Sequence, residues 1–230
     1  MTPEIAAALA AARGGKRPVV LATRLPDGAQ RLLPDGAAPA ALNERAEILL
    51  RTDRSETLDL GGERWFLRSY NPPLRLILVG AVHIAQALVP LALPLGLDPI
   101  IVDPRLALAT EDRFPASRRL TDWPDEALEA LGLDARSAVV ALTHDPKLDD
   151  PGLDLALRSE AFYIGALGSR KSHAARLERL AALGHHAEGL ARIRGPVGLA
   201  IGAVTAPEIA LSIIAEIIAV LRGAPLGAGR

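Results

Sequence analysis

After Asn71-Pro72-Pro73 the chain repeats one pattern, a short apolar run, a turn and then a helical segment. Strands written this way lose their polar alternation because helices cover both faces of the sheet, and the crossover helix makes neighbouring strands parallel. The candidate strands are 75–79, 99–102, 138–142 and 161–164, and the candidate helices 83–95, 125–131, 150–158, 170–183 and 207–221. The predicted fold class is α/β, a Rossmann-like parallel sheet with flanking helices over 73–230. Pro90 and Pro94 sit badly inside the first of these helices, since each removes a backbone hydrogen bond and tends to kink.

The residues before the double proline follow different rules, and 1–72 are expected to form a small N-terminal α+β domain. Thr2 and Pro3 suit the start of an Ala-rich helix, with Thr2 as cap and Pro3 in the first turn. Residues 17–33 read as a hairpin turning at Pro26-Asp27-Gly28, 38–51 as a helix, and 56–70 as a second hairpin turning at Gly61-Gly62. Trp65, Phe66 and Tyr70 fall on the last strand. Their expected role is a dimer or partner surface, with packing into the core as the alternative.

Composition removes several function classes. Half the 230 residues are hydrophobic while aromatics make up 3%, so aliphatic side chains must fill the interior. Lys and Arg number 26 against 27 Asp and Glu, so no global positive field recruits nucleic acid. With no Cys, a disulfide framework, a thiolate metal site and a cysteine nucleophile are excluded within this chain. The start lacks the basic, apolar make-up of a secretion signal. Residues 197–221 are the most hydrophobic region, yet Pro207, Glu208, Ser212 and Glu216 interrupt it, so a buried helix is expected rather than a membrane span. The five His show no Glu-linked i, i+4 pairing, and no protein metal site is expected.

Chemistry gathers at strand ends. LILVGAVHIA, residues 76–85, runs an apolar strand through Gly80 into a helix, which is the placement of a dinucleotide fingerprint. Gly80 makes the tight turn, and the helix start at Val82 and His83 offers N–H groups to a phosphate. Val82 replaces the middle glycine and puts a branched side chain where a pyrophosphate would approach. Asp103, 23 residues after Gly80, ends the next strand, where an acid takes a ribose diol or merely caps a loop. Arg105 follows it and suits a second phosphate, or solvent. A third strand delivers Thr143, His144 and Asp145 to the same edge, more suited to ligand contact than to acid–base catalysis. The fourth leads into a second glycine loop, Gly165 to Arg170. There Ser169 is a natural cap, and Arg170 adds positive charge to an already positive helix start, which suggests an anionic partner. Further on, Thr205 and Glu208 are spaced as a capping box. Glu216 lies two turns beyond Glu208 and has no such explanation.

With these residues in view, 74–222 resembles the Rossmann-type domain of the XdhC/CoxI family of accessory factors. The matching segments are GAVHIAQAL, IIVDPR, RFP, VVALTHDPKLDD, FYIGALGSRKSHAARL, ARIRGPVGLAIGA and EIALSIIAEI, in the family's order. The resemblance implies a non-catalytic carrier of molybdenum cofactor, as molybdopterin or its dinucleotide form, that supports its sulfuration and its insertion into a molybdenum hydroxylase of the xanthine-dehydrogenase or CO-dehydrogenase type. The implied partners are that apo-enzyme and a cysteine desulfurase, with a homodimer as a further expectation, and the implied location is the cytoplasm. Val82 departs from the family glycine, Ala206-Pro207 shifts its proline, and a cysteine of longer members has no counterpart here. The rival expectations are an NAD(P)-dependent oxidoreductase with His144 as proton donor, and a nucleotide-free scaffold.

Overall fold

The computed structural model describes residues 1–115 and 117–225; Ala116 and 226–230, the end of the second predicted domain, lie outside the described residues. The chain divides into two compact units, Met1–Pro72 with Leu221–Gly223, and one built on Pro73–Val220.

In the first unit, α1 (Pro3–Gly14) starts with the Thr2 hydroxyl accepting the Ile5 N–H at 3.4 Å. Strands β1 (Val19–Arg24), β2 (Gln30–Leu33), β3 (Glu56–Leu60) and β4 (Glu63–Tyr70) form an antiparallel sheet in the order β2-β1-β4-β3. The β3–β4 turn uses Gly61 and Gly62, both at positive φ, the geometry a two-residue hairpin with the strands' own twist demands. Helix α2 (Ala40–Thr52) lays Leu42, Ala46 and Leu49 on the sheet against Val20, Ala22, Trp65 and Leu67. Side chains alternate along β4, so Trp65 turns into this core while Phe66 turns out. Tyr70 packs on Leu9, Ala12 and Val19. The expectation of one aromatic partner surface is thereby corrected. Trp65 and Tyr70 are occupied inside the unit, and of the three only Phe66 is among its exposed large apolar side chains.

The second unit is a six-stranded parallel sheet in the order β10-β9-β8-β5-β6-β7. Its strands are β5 (Leu74–Val79), β6 (Leu97–Val102), β7 (Arg118–Leu120), β8 (Ser137–Ala141), β9 (Tyr163–Ala166) and β10 (Ile193–Arg194). Between and after them come α3 (His83–Ala92), α4 (Pro124–Leu131), α5 (Pro146–Arg158), α6 (Arg170–Ala182), α7 (Ala187–Leu190) and α8 (Ala206–Leu221). The Rossmann-like α/β class is what the structure has. Strands β8 and β9 are buried along their whole length, as a sheet covered on both faces requires.

Three differences have local causes. Helix α3 stops at Ala92, and a 3-10 turn over Leu93–Leu95 takes Pro94 near its start, where the missing N–H costs nothing. Helix α5 begins at Pro146, four residues earlier than expected, because Asp145 caps it by accepting the Lys147 N–H at 3.0 Å. Elements β7, β10 and α7 are two to four residues long and carry too little pattern to be read. Among the described residues no helix is long and apolar enough to cross a membrane. Helix α8 opens on the expected capping box, with Glu208 accepting the Val204 and Thr205 N–H groups and Thr205 accepting that of Glu208.

Candidate functional site

The register aligns the ends of the central strands. Val79 pairs with Val102 and with Ala141, and Ala141 with Ala166, so the loops after β5, β6, β8 and β9 leave from one edge. Chain order runs outward from β5 to β7 on one side and from β8 to β10 on the other. The crevice of an open α/β sheet lies at that reversal, outside the carboxyl ends of β5 and β8.

Gly80 bridges the crevice. Its φ is +114°, and a Cβ there would meet Thr143 Cγ2 at 2.5 Å, so only glycine lets the loop after β5 lie against the loop after β8. Val82 is the residue before α3 and supplies no side-chain cap, and His83 is exposed in the first turn. The first N–H groups of α3 therefore have no acceptor within the helix or from its cap.

Asp103 is fully buried and heavily committed. One oxygen accepts the Ala81 N–H at 2.7 Å; the Arg105 guanidinium grips both oxygens, through Nη2 at 2.6 Å and Nε at 2.8 Å, and the Arg105 N–H adds a bond at 2.9 Å. Burial pushes the carboxyl up, but the Arg105 guanidinium and the two N–H groups outweigh it and hold Asp103 below the ordinary carboxylate range. Asp103 and Arg105 thus lock the Gly80 turn to the end of β6.

After β8, the three neighbours part company. Thr143 gives its hydroxyl to Asp149 at 2.7 Å and its N–H to the same oxygen at 3.2 Å, and the His144 N–H reaches the other oxygen at 3.0 Å. His144 holds φ at +65°, a left-handed conformation that costs a non-glycine residue energy, and its ring is exposed. Asp145 faces α5 as its cap. Asp149 is buried, which pushes its carboxyl above the ordinary range against these hydrogen bonds and the nearby Arg176 charge. Arg176, buried on α6, lies 3.4 Å from Asp149 and donates to Leu167 O at 2.9 Å. One buried ion pair therefore ties the Thr143–His144 loop to the second glycine loop.

That second loop is Leu167 to Ser169. Gly168 has φ +140°, and a Cβ there would meet Ser172 Oγ at 2.5 Å and lie 3.6 Å from His144 Nδ1, so the loops after β8 and β9 are also in contact. Ser169 caps α6 by accepting the Ser172 N–H at 3.1 Å. Arg170 is exposed in the first turn, and among the described residues neither it nor Lys171 makes an ion pair. Gly165 requires a correction. It lies inside β9, buried, with Val197 where a side chain would go, because the strand runs two residues further than expected.

Beside Gly168 and Arg170 opens a groove of about 580 Å³ whose far wall is the segment 195–203 and the start of α8. Its frame is polar and buried. Glu216 accepts the Tyr163 hydroxyl at 2.5 Å and the Gly198 N–H at 3.0 Å, which answers the question its lone position raised. The groove wall, Asp149 and Arg176 were not singled out as site residues. Asp149 had a readable signal in the polar run after β8; Arg176, one of several basic residues on α6, had none.

Gly80, Thr143, His144 and Gly168 are thus brought into one continuous surface, Val82 and His83 border it, and Ser169 and Arg170 extend it, while Asp103 and Arg105 brace it from the β6 side. A family model described as the XdhC Rossmann domain matches residues 76–217. The chain is 35% identical over 151 residues to the molybdenum cofactor insertion chaperone PaoD of Escherichia coli K12, covering 66% of this chain and 41% of that one. It is 36% identical over 154 residues to a probable xanthine dehydrogenase subunit of Bacillus subtilis 168, covering 66% and 44%. It therefore spans less than half the length of these relatives. The crystal structure of a xanthine dehydrogenase from Bacillus halodurans shares the fold, with a TM-score of 0.71 at 24% identity over 98% of this chain and 65% of that one. On the match that spans most of its second unit, the chain belongs to the XdhC family, through an XdhC Rossmann domain.

Proposed function

We propose that this chain is a maturation factor that binds molybdenum cofactor and supports its sulfuration and its insertion into a molybdenum hydroxylase of the xanthine-dehydrogenase or CO-dehydrogenase type. The observation that carries the reading is the meeting of two glycine loops, each opening a helix, with the Thr143–His144 loop at one sheet edge. The group in question is a pterin with a phosphate or a nucleotide pyrophosphate at one end and a metal-holding dithiolene at the other. The residues fit such a group. The open N–H groups at the start of α3 and the Arg170 side chain at the start of α6 suit its anionic end, and Gly80 and Gly168 keep the backbone bare of side chains. When bound, the group would supply the molybdenum centre of the recipient enzyme; its dithiolene sulfurs belong to the group itself, and this chain, with no Cys, adds no thiolate. The role of the chain's own residues is to hold and shield. The partners are the apo-enzyme and a cysteine desulfurase, which must bring the thiol chemistry.

The name of one relative, the insertion chaperone PaoD, supports a maturation role, and that of the probable xanthine dehydrogenase subunit of Bacillus subtilis supports the class of enzyme concerned. A nicotinamide nucleotide suits the crevice less well, because both oxygens of Asp103, the acid a ribose would need, are taken up by Ala81 and Arg105. The test is titration with isolated molybdenum cofactor followed by gel filtration, with NADH calorimetry alongside. Pterin and molybdenum should elute with the protein at micromolar concentration while NADH gives no heat at tens of micromolar. A protein that retains no pterin yet binds NADH would overturn the reading in favour of an oxidoreductase.

A further inference from the structure

We propose that the groove between Gly168 and the segment 195–203 is the subsite for the flat heterocycle of the cofactor, with the anionic end of the same molecule at Arg170. The inference rests on the function proposed above and assigns to the cofactor a surface outside the β5–β8 crevice.

Three features of the groove carry it. The first is size. About 580 Å³ is far more than a phosphate needs and falls in the range of sites that enclose a multi-ring ligand. The second is the distribution of charge. Among the lining residues Arg170 is the one charged side chain, and it stands at the end adjoining the start of α6. Ser212 adds one hydroxyl, and the remainder is peptide backbone at glycines and alanines with apolar side chains such as Pro196, Leu199, Ile201 and Ile209. An uncharged planar ring system that carries donors and acceptors and joins an anion matches that polarity; a nucleotide with charge along its length does not. Bare backbone also lets a flat face come close, and its N–H and C=O groups can pair with ring edges.

The third feature is rigidity, which favours a formed binding site over a surface dent. Val197 donates its N–H to Ala166 O at 3.1 Å, Leu199 donates to Ser212 O at 3.1 Å, and buried Glu216 holds Gly198 from below. A side chain at Gly198 would collide with Ser212 Oγ, so the wall leaves no space behind it into which it could collapse. Above this frame the lining residue Ile201 is 53% exposed, an apolar lip of the kind a ring edge covers.

The experiment uses the full chain with two probes, isolated molybdenum cofactor and inorganic phosphate. Ala200→Phe places a ring in the groove, and Ile201→Asp puts a negative charge on its exposed lip. Each variant is checked by thermal melting, and the second decides if the first does not fold. The expected result is that both weaken cofactor binding tenfold or more, while Ala200→Phe leaves phosphate binding unchanged. Cofactor affinity within twofold of the parent in a folded variant overturns the subsite and leaves the function standing. Equal loss of phosphate and cofactor in Ala200→Phe overturns it as well, because the anionic end would then share the altered surface. A parent that binds no cofactor overturns the function first and this inference with it.

Discussion

Arg170 and His144 lie on adjoining loops but differ in what holds them. His144 is fixed through its backbone, by the N–H bond to Asp149 and a left-handed φ, and its ring shapes the surface beside Gly168. Arg170 is a cation at the positive end of α6 with no acidic partner among the described residues, and this repulsion is relieved when an anion arrives. Losing a charge-assisted contact of this kind costs about 1.5–3 kcal/mol, roughly ten- to a hundredfold in affinity. Arg170→Ala should therefore weaken cofactor binding by that factor, and more at low salt than at high, whereas His144→Ala should change it less than fivefold. Titration of both variants at two salt concentrations checks this, and an unaltered affinity for Arg170→Ala would remove the second glycine loop from the anion site.

At the scale of elements, α6 is where the site meets the rest of the fold. Its exposed first turn carries Arg170, while further along it Arg176 reaches Asp149 and Leu167 O, and His173 lies so close to Gly195 that a side chain there would run into the ring. Burial and the Arg176 charge push the His173 imidazole below its ordinary value, and its buried Nδ1 has no hydrogen-bond partner among the described residues. The unfolded chain thus binds a proton more readily than the folded one. The stability contributed by neutral His173 is complete above the ordinary histidine value and is lost as pH falls through about 6.5 toward the lowered folded value. Urea melts between pH 5 and 8 should show stability rising with pH across this window. In His173→Gln the rise should be smaller, and an identical slope in that variant would place the titration elsewhere.

For the whole molecule, the question is whether each unit stands alone. The parallel sheet is packed on Ile77, Val79, Val139, Ile164 and their neighbours, and the antiparallel sheet on Val20, Leu42, Trp65 and Leu67, so each unit has its own core. A cut at residue 72 nevertheless takes partners from Arg222, which lies just past α8 and belongs with the first unit: it donates to the Thr52 and Asp53 carbonyls, and its own carbonyl accepts from Arg54 at 3.0 Å. The expected outcome is that a chain of residues 73–230 remains soluble, keeps its helical circular dichroism and melts cooperatively. Its melting temperature should fall by a few degrees, in line with the loss of about 1 kcal/mol from a domain of this size. Insoluble protein would mean that the first unit is needed to cover the second.

Local pattern was enough wherever a residue answers to its own neighbours. Helix caps at Thr2, Ser169 and Thr205, the Gly61-Gly62 turn and the apolar runs of β5, β8 and β9 were legible because capping, turn geometry and periodicity act over a few residues. So was the class of the fold, since strand–helix alternation leaves a parallel sheet as its ordinary solution. Partners distant in sequence were not legible. That Asp103 closes on Ala81, that Arg176 meets Asp149 across 27 positions, and that Glu216 serves Tyr163 and Gly198 follow from which loops the strand order brings together. A carboxylate in the chain looks the same whether it will hold a ligand or a loop. Burial decides which, by making an unpaired charge too costly to keep, and burial exists only once the sheet has formed.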